Sequence, residues 1–135
     1  MEYRNVLTTC VYCGTGCGLY LEVLDGQVVG ILPAKGHPVS EGKLCIKGWN
    51  AHAFIHHQDR LTKPLIKENG QFREASWDEA YELIADKFAS FREGFGPDSL
   101  AVLSSAKCTN EENYLLQKFT RAVLGTNNID HCARL

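Results

Sequence analysis

The spacing of four cysteines constrains this chain more than any other feature. Cys10, Cys13 and Cys17 form C-x2-C-x3-C in a run of small residues, and Cys45 follows after a longer stretch of strand-like sequence. Three thiols so close in sequence meet in any compact loop, whereas the fourth has to be returned to them by the chain between. Residues 19–24 and 27–32 are β-rich runs around the pair Asp25-Gly26, a strong short-range hairpin signal, and a hairpin brings the later segment back. Gly14, Gly16 and Gly18 leave the backbone free to approach a metal and to aim amides at sulfur.

Four thiolates satisfy one tetrahedral ion or one cubane cluster. All-cysteine ligation is the habit of a 4Fe-4S centre. Zinc ribbons instead carry two C-x2-C pairs, while here the fourth cysteine stands alone in Leu44-Cys45-Ile46-Lys47-Gly48. Spacing alone leaves a structural zinc open. Lys47 lies two residues past the fourth cysteine, either as a solvated surface lysine or as fixed positive charge beside a metal centre. Cys108 and Cys132 do not join the pattern and are left out of the site; Cys108, before a helix N-terminus, reads as a small buried hydrophobe, with a reactive thiolate as the alternative. His52, His56 and His57 have helical spacing but no completing ligand set, so they read as a partly exposed helix or loop face.

Composition narrows the surroundings of such a site. Six cysteines among 135 residues, in an otherwise ordinary mix of 44% hydrophobic and 22% charged residues, point to metal binding in a reducing compartment before disulfides. The formal charge of -2 offers no basic field for nucleic acid. No apolar run approaches the roughly 20 residues of a membrane span, and the first nine residues lack a signal-peptide core or a twin-arginine pair, so the expected location is cytoplasmic.

A second regime begins near residue 60. A weaker hairpin is predicted around Asn69-Gly70. Ser76 with Glu79 forms a capping box, and Trp77, Ala80, Tyr81, Ile84, Phe88 and Phe91 repeat at helical spacing until Gly94. Residues 99–104 read as a strand covered on both faces. Thr109 with Glu112 caps a second helix whose buried stripe is Leu115, Leu116, Phe119 and Val123, ending at Gly125, and residues 128–135 read as a further strand. The expected fold class is therefore mixed α+β and α/β. A small β-rich cluster-binding domain over residues 1–60 is followed, over 61–135, by the incomplete start of a parallel-sheet α/β domain. Alone, such a piece is expected to leave apolar helix faces exposed and to self-associate.

The cysteine motif with Gly42-Lys43-Leu44-Cys45-Ile46-Lys47-Gly48 resembles the 4Fe-4S signature of molybdopterin-dependent oxidoreductases, a signature that nitrate reductases share. The stretch from Ser104-Ser105-Ala106-Lys107-Cys108-Thr109-Asn110 to Tyr114, with Gln117-Lys118-Phe119 and the stretch Asn127 to Leu135, resembles formate dehydrogenase catalytic subunits more closely. The resemblance implies that Cys10, Cys13, Cys17 and Cys45 ligate a 4Fe-4S cluster, with Lys47 between cluster and pterin. It further implies formate oxidation to carbon dioxide in the full-length enzyme, at molybdenum or tungsten held by a bis(molybdopterin guanine dinucleotide) cofactor, and an electron-transfer subunit as partner.

In that family a selenocysteine or cysteine metal ligand comes directly after the position of Leu135. The expectation is an amino-terminal fragment, inactive alone and with no catalytic residue of its own, ended by a UGA selenocysteine codon read as a stop. A related nitrate reductase fragment, a free-standing Fe-S electron-transfer module and a zinc-binding module are the alternatives.

Overall fold

The computed structural model describes residues 1–132, so the expectation for residues 133–135 lies outside the described residues. Two compact units are distinguished. One holds Met1–Arg60 together with Ser105–Asn113, and the other holds Leu61–Ser104 with Tyr114–His131.

The first unit is built on an antiparallel sheet of β1 (Tyr3–Thr9), β2 (Gly18–Leu24) and β3 (Gln27–Pro33), in that spatial order. The turn between β2 and β3 places Asp25 at φ 47° and Gly26 at φ 82°, the two positive angles of a hairpin turn whose twist suits the flanking strands. A register irregularity falls between Glu22 and Val23. The β1 strand was not anticipated from sequence, because 3–9 mixes polar and apolar residues without alternation. It forms because β2 offers a complete antiparallel partner, from Tyr3 opposite Leu24 to Thr9 opposite Gly18. Leu19, Ile31, Ala51 and Cys10 form the core, with Tyr12, Cys17, Leu21 and Leu44 packed against it.

In the second unit, β4 (Leu65–Glu68) and β5 (Gln71–Glu74) form the hairpin predicted around Asn69-Gly70. It leads into α2 (Trp77–Phe95). Ser76 Oγ accepts the Glu79 backbone N–H at 3.1 Å, and the Glu79 carboxylate reaches back to the Ser76 backbone N–H while also pairing with Arg73, which meets Glu68 at 2.6 Å. The helix passes Gly94 and stops only at Gly96, whose φ of 82° before Pro97 leaves the helical basin. A 3-10 turn, Pro97–Ser99, then takes the start of the expected strand, because the Ser99 hydroxyl donates to Gly96 O at 2.7 Å, and β6 is confined to Val102–Ser105.

The next helix, α3 (Asn110–Phe119), has a full capping box. Glu112 N–H donates to Thr109 Oγ1 at 3.3 Å, and Thr109 N–H donates to Glu112 Oε2 at 2.7 Å. It runs into a π-helical turn, Thr120–Leu124, closed by Gly125 in the left-handed region. The strand β7 (Ile129–Cys132) pairs with β6 in a two-stranded sheet, and the Val102 N–H donates to Asn128 O at 2.8 Å just before it.

The expected buried stripe is corrected here. Leu115 and Val123 are more than half exposed, and the buried positions are Thr120 and Leu124. The π turn inserts extra residues per turn and rotates Val123 off the line that Leu116, Thr120 and Leu124 share. No helix is long and apolar enough to cross a membrane among the described residues.

Candidate metal centre

Cys10, Cys13 and Cys17 all lie in the connection between β1 and β2. Because Thr9 and Gly18 are the last paired residues, the loop is closed at its base, and Cys10 N–H donates to Cys17 O at 2.8 Å. Gly16 supplies the left-handed turn, at φ 62°. At Gly14 and Gly18 the reason for glycine differs from free approach to a metal: a Cβ would overlap the Asn110 side chain at the first and the His37 ring at the second. Gly18 N–H donates to the buried Ser40 hydroxyl at 3.2 Å, which ties the loop base to the segment leading to Cys45.

Cys45 is delivered as the cap of the short helix α1 (Ile46–Trp49). Its sulfur accepts the backbone N–H groups of Gly48 and Lys47, which hold the thiol below its usual range. Hydrogen bonds of this kind stabilise a thiolate and tune a metal bound to it. Cys13 is also held low, first by the Thr15 hydroxyl, 3.4 Å from its sulfur, and then by the charges of Lys107 and Lys47. Burial pushes the Cys17 thiol up, and Cys10, Cys13 and Cys45 add to this by charge. Their exposure is graded: Cys10 is buried in the core, Cys13 and Cys17 are half-buried, and Cys45 is exposed.

The donor set fits an iron–sulfur cluster. All four thiols are free, and two have donors poised to stabilise the thiolate. Among the described residues no three His, Cys, Asp or Glu side chains are grouped to hold a metal ion.

The Lys47 ammonium lies 5.9 Å from the centroid of Tyr12, a ring on the cysteine loop. His56 has a structural part, its Nε2 accepting the Val28 N–H at 3.0 Å, and residues 52–57 form turns rather than a helix. Cys108, in the connection between β6 and α3, and Cys132, the last residue of β7, are half-buried rather than buried. Cys132 Sγ lies 3.3 Å from Ser105 Oγ, the main reason its thiol is held low.

Sequence reasoning missed Asn110. Its side-chain amide donates to Gly14 O at 3.2 Å across 96 positions of sequence. The neighbouring capping box was visible, but nothing local announces a contact with the cysteine loop.

Residues 3–57 match the molybdopterin oxidoreductase Fe4S4 domain, and residues 60–135 match the molybdopterin oxidoreductase model. The F420-dependent formate dehydrogenase 2 subunit alpha of Methanococcus maripaludis is 58% identical over 99% of this chain and 19% of its own length. The corresponding subunit of Methanocaldococcus jannaschii is 56% identical over 100% of this chain and 19% of its own length. Acetylene hydratase from Pelobacter acetylenicus matches in structure with a TM-score of 0.70 at 27% identity, over 93% of this chain and 18% of that protein. The chain thus spans about a fifth of the length of the curated relatives it matches. A 4Fe-4S cluster and a molybdenum- or tungsten-pterin are the cofactors that go with the two matched domains. With the cysteine loop, the capping Cys45 and both halves of the chain matched to consecutive models, the chain belongs to the molybdopterin oxidoreductase family.

Proposed function

We propose that this chain is the amino-terminal part of a formate dehydrogenase catalytic subunit. In this reading Cys10, Cys13, Cys17 and Cys45 ligate a 4Fe-4S cluster, and Lys47 stands between the cluster and the pterin. The observation that supports it is four free thiols, three on one closed hairpin loop and one at a helix cap, in a chain that formate dehydrogenase alpha subunits match over nearly its whole length. Residues 1–60 are the cluster domain and residues 61–135 the beginning of the pterin-binding α/β domain. The compact unit running to Arg60 and the two family matches support that division.

A bound cluster supplies one-electron transfer. The chain's own residues supply four sulfurs, backbone N–H groups from Lys47 and Gly48 that spread negative charge off Cys45, and a lysine ammonium that compensates the charge of the centre. Formate oxidation is assigned to the full-length protein, with electrons passing to a separate electron-transfer subunit. Six free thiols suit a reducing compartment, which is the basis for a cytoplasmic location.

Anaerobic reconstitution of the chain with iron and sulfide tests the ligand set. Broad visible absorption and about four irons per chain are expected for a 4Fe-4S centre; a colourless protein with one zinc would overturn it. For the activity, the full-length protein is expected to reduce an artificial dye with formate. Electron delivery to nitrate without formate turnover would move it to the nitrate reductases.

A further inference from the structure

The segment Ser105–Asn113 packs with the cysteine-bearing unit although it is distant in sequence. It is a self-braced turn. The Lys107 N–H donates to Ser105 Oγ at 3.0 Å, the Cys108 N–H donates to Ser105 O at 3.2 Å, and Asn113 Nδ2 donates to Ser105 O and to Thr109 O, each at 3.2 Å. The segment meets the cysteine loop through Asn110, whose side-chain amide reaches Gly14 O, directly after Cys13. The fit is close: a Cβ on Gly14 would overlap the Asn110 side-chain amide as it stands.

We propose that this turn is a working part of the metal site: Asn110 is a positioning residue that latches Gly14, and the latch holds the exposed Lys107 beside Cys13 as a second fixed positive charge, separate from Lys47. The proposal rests on the cluster assignment above. Lys107 stands three residues before Asn110 in the braced turn that is bonded to Gly14, next to Cys13, and its charge acts on Cys13 in the same sense as that of Lys47. A reduced cluster carries one more negative charge than an oxidised one, and a nearby cation stabilises that charge. Lys107 therefore raises the cluster's midpoint potential.

The test is an EPR-monitored redox titration of the reconstituted 135-residue chain at low ionic strength, where exposed charges are least screened. Lys107→Gln is expected to lower the reduced-to-oxidised ratio at a fixed potential about threefold, or about 28 mV at 59 mV per tenfold for one electron. Lys107→Arg keeps the charge and is expected to keep the wild-type potential. Asn110→Ala frees the turn and is expected to shift the potential in the direction of Lys107→Gln, while adding it to Lys107→Gln produces little further shift. A Lys107→Gln potential equal to wild type overturns the proposal, as does an Asn110→Ala variant that retains the wild-type potential. Failure of the wild-type chain to take up iron would defeat the cluster assignment instead, and iron content reports that separately.

Discussion

The two units use local sequence signals equally well but differ in what those signals accomplish. In the first, a hairpin and a helix cap fix where individual side chains stand: Cys10 enters the core beside Leu19 and Ile31, and Cys45 is held at the end of α1. In the second, the turn at Asn69-Gly70, the Ser76 cap and the Gly125 cap all form, yet Trp77, Tyr81, Ile84, Leu115 and Val123 stay about half exposed or more. Caps and turns define where elements start and stop. Burial needs an opposing surface, which the first unit has in its sheet and the described part of the second lacks for these side chains.

The largest test of this contrast removes a ligand. Cys17→Ala is expected to abolish the broad visible absorption of the reconstituted chain and to lower the denaturation midpoint of the first unit, because metal binding free energy is also folding free energy. The far-UV helix signal, dominated by α2 and α3, should change little. Equal loss in both units would break the comparison.

Core truncation comes next. Leu19 is 1% exposed and Ile84 49% exposed. Leu19→Ala is expected to cost about 2–5 kcal/mol, and Ile84→Ala less than about 0.5 kcal/mol. Urea unfolding read separately by cluster absorbance and helix ellipticity would show both, and similar costs would mean that the α2 face is covered in solution. A smaller effect is expected from the cap: Ser76→Ala should destabilise the helical unit by about 1 kcal/mol in thermal unfolding, leaving the cluster spectrum untouched.

The smallest effect is on acid stability. Arg73 lowers the carboxyl pKa values of Glu68 and Glu79 in the folded protein relative to an ordinary 4.5. Their contribution is complete above that ordinary value and is lost as pH falls through the lowered folded values, when the carboxylates protonate. Acid titration should therefore weaken the attachment of the β4–β5 hairpin to α2, and Arg73→Gln should flatten that part of the profile. All three groups are solvent-exposed, so added salt should shrink the difference.

Much of both units was legible from short-range patterns. Asp25-Gly26 and Asn69-Gly70 marked their turns because a positive φ is tolerated by few residues, and Thr109 with Glu112 marked a cap because both partners lie within one helical turn. Other features depended on more distant residues. Gly94 lay in the helix because the stop comes from the backbone of Gly96 before Pro97. The expected stripe on α3 rotated because the helix closes in a π turn, and β1 required a partner strand to exist at all.

The sequence by itself determined the candidate ligand set: three cysteines close enough to share one loop, a hairpin before the fourth, and a lysine two residues beyond it. Tertiary structure decided the environment of those sulfurs: which one is buried, which backbone N–H groups reach Cys45, and that Asn110 closes over Gly14. Spacing and capping act over a few residues, where backbone geometry alone sets distances. A contact across 96 positions depends on how every intervening element packs, and no local pattern encodes it.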